Sequence, residues 1–425
     1  MESNSEISRL ASVISSSTAT LDQYLKDNKI PEPSFDAHAP PQLALKSAEA
    51  FQAKSSAINA CLELLDRLQG PLTCMLPLYN GSALQAISRF NIAAHVPLDG
   101  TEISYPDLAK ASGMHVDDLK QVIRFAIVFH RLFQEPRKGY VVHSAGSRKI
   151  AEDPIVQAGV GQFDEFYGSF ARTVDAMTQF QGHEPNEAGF CLSHNTNEDL
   201  FSYLRSRPAA AKQFSEAMKF YTGPIPAYSP NLLVQGYPWN ELGKGATVVD
   251  MGGSTGNVAN LIAQAAPDFQ VIVEDLPHVV TEAESTRTTE GQDQQQQHLP
   301  VKFKAHDFFT PQTVVADAYL LRWVLHDWPD HYVLKILRQL VPALKKGARV
   351  IVNESLCPES GSLPLATERY IRYMDLMMLA INKSRLRDEE EWQQLFHEAD
   401  PRYGQLKCWT PEGSALAIME VVWEG

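Results

Sequence analysis

The sequence predicts an α/β chain whose carboxyl-terminal part, residues 241–425, is a doubly wound, largely parallel sheet and whose amino-terminal part is all-helical with a winged helix. Three observations carry that prediction. Short apolar runs alternate with amphipathic segments from Ala246 onward, the grammar of a parallel sheet covered by helices. A helix, a turn, a second helix and a hairpin succeed one another between residues 105 and 142. A Pro/Ala-rich stretch, residues 31–44, sets a first helix apart from the rest of the chain.

Taken in order, Ile7 to Leu25 has helical spacing of apolar residues, so residues 1–44 read as a helix and linker. A winged-helix domain then spans residues 45–150. It opens on a helix through Ala57, Ala60, Leu64 and Leu68, succeeded by a helix through Leu84, Ile87, Phe90 and Ile92 that ends near Pro97. A short helix, Tyr105 to Ser112, stops at Gly113. Val116 to Leu119 opens the next, with Val122, Ile123, Ala126 and Ile127 on its apolar side. Leu132–Glu135 and Gly139–Val142 form the hairpin. Residues 151–240 read as a mostly helical segment, looser around Gly182–Asn197. Strands are expected at Thr247–Met251, Val271–Asp275, Val301–Ala305, Ala318–Leu321 and Val350–Glu354, with a closing antiparallel pair at Leu406–Trp409 and Ala415–Trp423. The polar stretch Ser285–His298, with four glutamines in a row, reads as a solvated insertion.

Composition narrows the function. Lys and Arg number 37 against 51 Asp and Glu, a net charge of −14 that repels nucleic-acid phosphates. The second helix of the winged helix opens on Asp117-Asp118, which disfavours a DNA-binding regulator further. No run approaches the roughly 18 apolar residues of a membrane span. The start Met1-Glu2-Ser3-Asn4 lacks a secretory layout. The five cysteines are scattered, without CxxC or Cys/His spacing, so no metal is expected and the chain reads as a cytoplasmic enzyme with reduced thiols.

Two constellations carry chemistry. The first is Val248 to Gly256, a glycine-rich turn between a strand and a helix, which lets a ligand approach the backbone. It is not GxGxxG, since Ser254 and Asn257 occupy the later positions, and that weakens an NAD-dependent oxidoreductase reading. The next strand ends in Glu274-Asp275, where a carboxylate accepts from ribose hydroxyls. The third ends in Asp307-Phe308, an acid for an adenine amine and a ring to pack on it. Three successive strand ends thus suit a nucleoside. The second constellation is Leu321 to Asp330, with two tryptophans, His326 and Asp327 at the sheet's carboxyl edge. A neutral imidazole there can take the proton of an attacking hydroxyl. Glu354, ending the neighbouring strand, can hold the other ring nitrogen, and Asp327 can do so instead or line the cofactor site.

These stretches resemble the class I S-adenosylmethionine-dependent O-methyltransferases of the caffeic-acid type, the fungal polyketide subgroup in particular, over roughly residues 80–425. The resemblance implies a Rossmann-like methyltransferase sheet, a winged-helix dimerisation domain and therefore a homodimer. It also implies S-adenosyl-L-methionine as cofactor and an aromatic small molecule, such as a phenolic polyketide, as acceptor. It places Gly252, Gly253, Asp275, Asp307 and Phe308 at the cofactor, with Arg322 where plant relatives carry lysine, and makes His326 the general base and Glu354 its first orienting glutamate. Leu386 departs from the pattern, standing where a second orienting glutamate is usual, with Asp375 and Glu368 as substitutes to test. Phe163, Phe166, Met177, Phe180, Met218 and Tyr221 are candidates for the acceptor pocket, as are Met374, Met377 and Met378. A catalytically inactive cofactor-binding homologue is the alternative that Leu386 keeps open.

Overall fold

The computed structural model describes residues 5–76, 80–222, 226–290 and 301–425. The chain forms two compact units, one of Met1–Tyr167 with Glu359–Tyr370, the other of Gly168–Pro358 with Ile371–Gly425.

In the first unit the helix Glu6–Asp27 is capped by the Ser5 hydroxyl, which accepts the Ser8 N–H. It packs on Ala48–Cys74, whose helical path breaks at Gly70 (φ 75) ahead of Pro71. The expected helix through Ile92 stops sooner. It runs Ser82–Arg89, Asn91 turns left-handed (φ 47), and Ile92–His95 forms a separate 3-10 turn. The winged helix is present as Tyr105–Ser112, Val116–Phe129 and a small sheet of β1 (Ile103–Ser104), β2 (Gln134–Arg137) and β3 (Tyr140–Val142), in the order β1-β3-β2. Its first hairpin strand starts two residues later than the sequence suggests. Phe133 is left-handed (φ 64), and its ring is buried while its N–H donates to the Ser144 and Ser147 hydroxyls. Leu132 and Phe133 are therefore core residues, not strand. Ile87, Ile92, Leu108, Leu119, Ile123 and Phe133 make the centre of this unit, each at most 1% exposed.

The second unit is built on a seven-stranded sheet of β4 (Thr247–Met251), β5 (Gln270–Asp275), β6 (Val301–Ala305), β7 (Ala318–Arg322), β8 (Arg349–Glu354), β9 (Lys407–Trp409) and β10 (Ala417–Val422). The order is β6-β5-β4-β7-β8-β10-β9. The first five are parallel, and β10 runs antiparallel between β8 and β9. Each parallel strand lies within one residue of its expected span. Alternate side chains point to opposite faces. Val249, Met251, Tyr319, Leu321, Val350 and Val352 pack with Trp392 and Phe396 on one side, and Val248, Leu320, Ile351 and Ile418 pack with Ile262 and Leu233 on the other. Both faces are covered, which is why these strands read as continuous apolar runs. The chain reverses its direction of growth between β4 and β7, and the carboxyl ends of the strands at such a reversal are where an open α/β sheet takes its ligand.

Of the glutamine-rich insertion, residues 285–290 lie in the helix Pro277–Glu290, and 291–298 lie outside the described residues. Among the described residues no helix is long and apolar enough to cross a membrane, and no cluster of His, Cys, Asp or Glu is set to hold a metal ion.

Candidate active site

β4 ends in the glycine turn. Gly252 has φ 70, and a Cβ there would lie 3.0 Å from Val324 Cγ2 and 3.9 Å from the Phe308 ring. The turn, the end of β6 and the segment after β7 therefore meet at one point. A Cβ on Gly253 would lie 2.6 Å from an oxygen of Asp250, so no larger residue fits without displacing that carboxylate. Ser254, also left-handed (φ 51), donates its N–H to Asp275 Oδ2 at 2.9 Å, and Leu276 donates to Asp275 Oδ1 at 2.7 Å. Asp275 is thus pinned across the mouth of the turn, each oxygen keeping a lone pair for a ligand hydroxyl. Burial raises its carboxyl above the usual range. Next door, His306 donates its N–H to the Asp275 carbonyl, and Asp307 Oδ1 accepts the Phe309 N–H at 2.9 Å. Phe308 sits edge-on to Trp328 and Phe309.

Below the turn, Asp250 is 2% exposed, and its Oδ2 has no hydrogen-bond partner. Burial pushes its carboxyl up to about 7 against the pull of Arg322. Arg322 donates to Asn353 Oδ1 at 2.9 Å and to the Tyr228 carbonyl at 2.6 Å, and burial brings its guanidinium down to about 10. Small residues, two anchored carboxylates with acceptor capacity, an aromatic ring and an orphaned buried acid together fit a nucleoside bearing a diol and an amine.

The second half of the site hangs from β7 and β8. After Arg322 the chain passes through Trp323 in a left-handed conformation (φ 54) and into the 3-10 turn Leu325–Asp327. A bulky residue at positive φ costs ~1–3 kcal/mol and persists only where its surroundings impose it. Glu354 does so from the end of β8: its Oε1 accepts the N–H groups of Val324 (3.1 Å), Leu325 (2.7 Å) and His326 (3.1 Å). This corrects the expected role of Glu354. It holds the histidine by its backbone and not by its ring, because the turn presents three N–H groups to the carboxylate first. Oε2 is buried without a partner, and burial lifts the Glu354 carboxyl to about 7. Asp327 is the carboxylate beside the ring, its Oδ1 3.5 Å from His326 Nε2. Burial and then Glu354 push the Asp327 carboxyl well up. The imidazole itself is 6% exposed, and burial, with the charge of Arg387, lowers it to about 3. It is neutral throughout the physiological range.

The expected substitutes for the second glutamate are engaged elsewhere. Asp375 Oδ1 accepts the Leu386 N–H at 2.8 Å, and Glu368 Oε2 accepts the Gly361 N–H at 2.9 Å. Of the expected pocket residues, Phe166, Met377 and Met378 are buried, Met177 is exposed, and the others are intermediate or at the edge of burial. Three residues around the two constellations were not singled out by the sequence. They are Asp250, Asn382, whose amide donates to the Asp327 carbonyl at 3.0 Å, and Arg387. Only Asp250 carried a signal, an acid inside an apolar strand at the glycine turn.

Residues 181–400 match the O-methyltransferase domain family. The chain is 41% identical over 423 residues to the grayanic acid biosynthesis cluster O-methyltransferase of Cladonia grayi, covering 99% of this chain and 88% of that protein. It is 42% identical over 435 residues to O-methyltransferase pyvH of Aspergillus violaceofuscus, covering 99% and 100%. Its fold is similar to that of OxaC, crystallised with sinefungin and meleagrin, at a TM-score of 0.75 and 20% identity over 98% of this chain and 99% of that one. The chain belongs to the O-methyltransferase family.

Proposed function

We propose that this O-methyltransferase transfers a methyl group from S-adenosylmethionine to a phenolic hydroxyl of an aromatic fungal secondary metabolite, with His326 as general base. The observation that supports this most is the placement of a neutral, buried imidazole on a turn whose Val324 closes against the glycine bend. When bound, S-adenosylmethionine supplies a methyl already activated by its sulfonium charge. Gly252 and Gly253 would admit it to the backbone, Asp275 would take the ribose hydroxyls, and Asp307 and Phe308 would take the adenine. Arg322 and Asp250 lie beneath. The secondary-metabolite assignment rests on relatives such as the grayanic acid cluster enzyme, and the cofactor assignment is supported by neighbours crystallised with its analogues.

The acidities set the order of events. A phenol has a pKa of about 10, and the His326 imidazolium about 3. Full proton transfer before attack would be uphill by roughly 10 kcal/mol. The hydroxyl proton therefore passes to the imidazole as the oxygen takes the methyl, with the Asp327 carboxyl 3.5 Å from His326 Nε2. Incubation with labelled S-adenosylmethionine and a panel of phenolic polyketides, read by mass spectrometry, should show a mass gain of one methyl. His326→Ala should lose about 10²–10⁴-fold in kcat and still bind the cofactor in calorimetry; undiminished turnover would remove His326 from the reaction. The exposed apolar residues Ile58, Leu65, Leu68 and Leu72 on the helix Ala48–Cys74 support a homodimer through the amino-terminal region, which sedimentation at two concentrations reads directly.

A further inference from the structure

Where the resemblance implies a second glutamate, Leu386 stands with its side chain buried and its N–H on Asp375. The next residue is the largest buried cation near the base. Arg387 is fully buried. Its backbone continues β8 sideways: residues 356 and 387 form a parallel bridge, and the Cys357 N–H donates to the Arg387 carbonyl at 2.9 Å. Its guanidinium donates to the Leu325 carbonyl at 3.3 Å, to the Trp328 carbonyl at 2.7 Å and to Asp330 Oδ1 at 2.8 Å, and lies over the Trp392 ring at 5.2 Å. The two carbonyls flank His326. We propose that Arg387 is a positioning residue for the base, gripping the carbonyl side of the 325–328 turn while Glu354 grips its N–H side.

A short turn has orphan donors at one end and orphan acceptors at the other. Here the Glu354 carboxyl oxygen satisfies the first set and a cation the second, so the imidazole is fixed without any hydrogen bond from Glu354 to its ring. The fork gives each oxygen its own nitrogen, Nε for Asp330, Nη1 for Leu325 and Nη2 for Trp328, whereas an ammonium would have to serve all three from one atom. The clamp also carries charge. The ionisable groups facing the imidazole are Asp327 on its own turn, Glu354 from β8 and Arg387 from the segment before the helix Glu389–Ala399; Asp330 faces Arg387 in turn and is held by Arg385. Burial is the larger reason the ring stays neutral; Arg387 adds to it, with the same side chain that ties the backbone in place.

This inference rests on His326 being the base, and the test separates the two. Arg387→Lys keeps the charge and loses the fork. Its kcat should fall about tenfold or more, with the acid limb of the kcat–pH profile unmoved and the KM for S-adenosylmethionine within twofold. Arg387→Gln removes the charge as well, and its acid limb should move toward neutral pH. Asp330→Asn, at a side chain 42% exposed, loosens the guanidinium without opening the core and should lower kcat severalfold with unchanged cofactor KM. Should the Gln variant not fold, the Lys and Asn variants decide. A kcat within twofold of the parent in both, at every pH, overturns the proposal. With His326→Ala inactive, that result leaves the base assignment standing; with His326→Ala fully active, the base assignment itself fails.

Discussion

Replacing Glu354 by Gln should change how stability depends on pH more than it changes stability itself. Glu354 is fully buried, with one oxygen on three backbone N–H groups and the other without a partner. Burial lifts its carboxyl from 4.5 to about 7. The folded state then holds a proton that the unfolded chain releases. The contribution is fully present below pH 4.5 and is lost as pH rises through about 7. At ~1.4 kcal/mol for each tenfold change in proton affinity, that interval is worth about 3 kcal/mol, lost between pH 4.5 and pH 7 to 8. Glutamine keeps the acceptor oxygen and does not titrate, so the variant lacks this slope. Asp327, whose carboxyl Glu354 also pushes up, acts in the same direction and enlarges the difference. Urea midpoints for parent and variant at pH 5, 6, 7 and 8 measure it: the variant should gain on the parent as pH rises. Parallel curves would refute the assignment of a raised carboxyl to this position, and with it the account of the turn as held by a partly protonated acid.

Two further changes probe the cofactor half. Gly252→Ala places a Cβ at φ 70 and 3.0 Å from Val324, at a cost of ~1–2 kcal/mol in backbone strain alone; the thermal midpoint should drop and S-adenosylmethionine titration should show weaker binding, and normal values for both would mean the turn is slack. Asp275→Asn cannot accept from Leu276 and Ser254 with both of its atoms, and losing charge-assisted bonds of ~1.5 kcal/mol or more should weaken cofactor binding about tenfold or more in calorimetry; an unchanged Kd would take Asp275 out of the site.

The sheet was legible because its strands are short apolar runs bounded by polar and glycine residues, and period and breakers are properties of sequence. Thr247–Met251 and Val301–Ala305 coincide with their expected spans for that reason. The hairpin of the winged helix starts two residues later than its sequence predicts because Leu132 and Phe133 have strand-like side chains, while the left-handed backbone at Phe133 is decided by the serines it reaches. The glycine turn and His326 could be picked out from local spacing. The grip of Glu354 and Arg387 could not, since its partners are backbone N–H and C=O groups that every residue carries. Arg387 stands beside Leu386 in no motif of its own. Nothing in the residue order shows that its side chain turns inward past Trp392 to reach a loop some sixty residues earlier.

The insertion of β10 between β8 and β9 bears on how the protein is made. β8, which ends in Glu354, presents an unpaired edge until Ala417–Val422 arrives from the ribosome, later than every other strand of the sheet. For that interval the nascent chain carries an apolar ribbon with open hydrogen-bonding groups, a template for pairing with other chains. Expression at lower temperature or with extra holdase capacity should therefore raise soluble yield, and premature stops upstream of residue 417 leave this edge permanently uncovered.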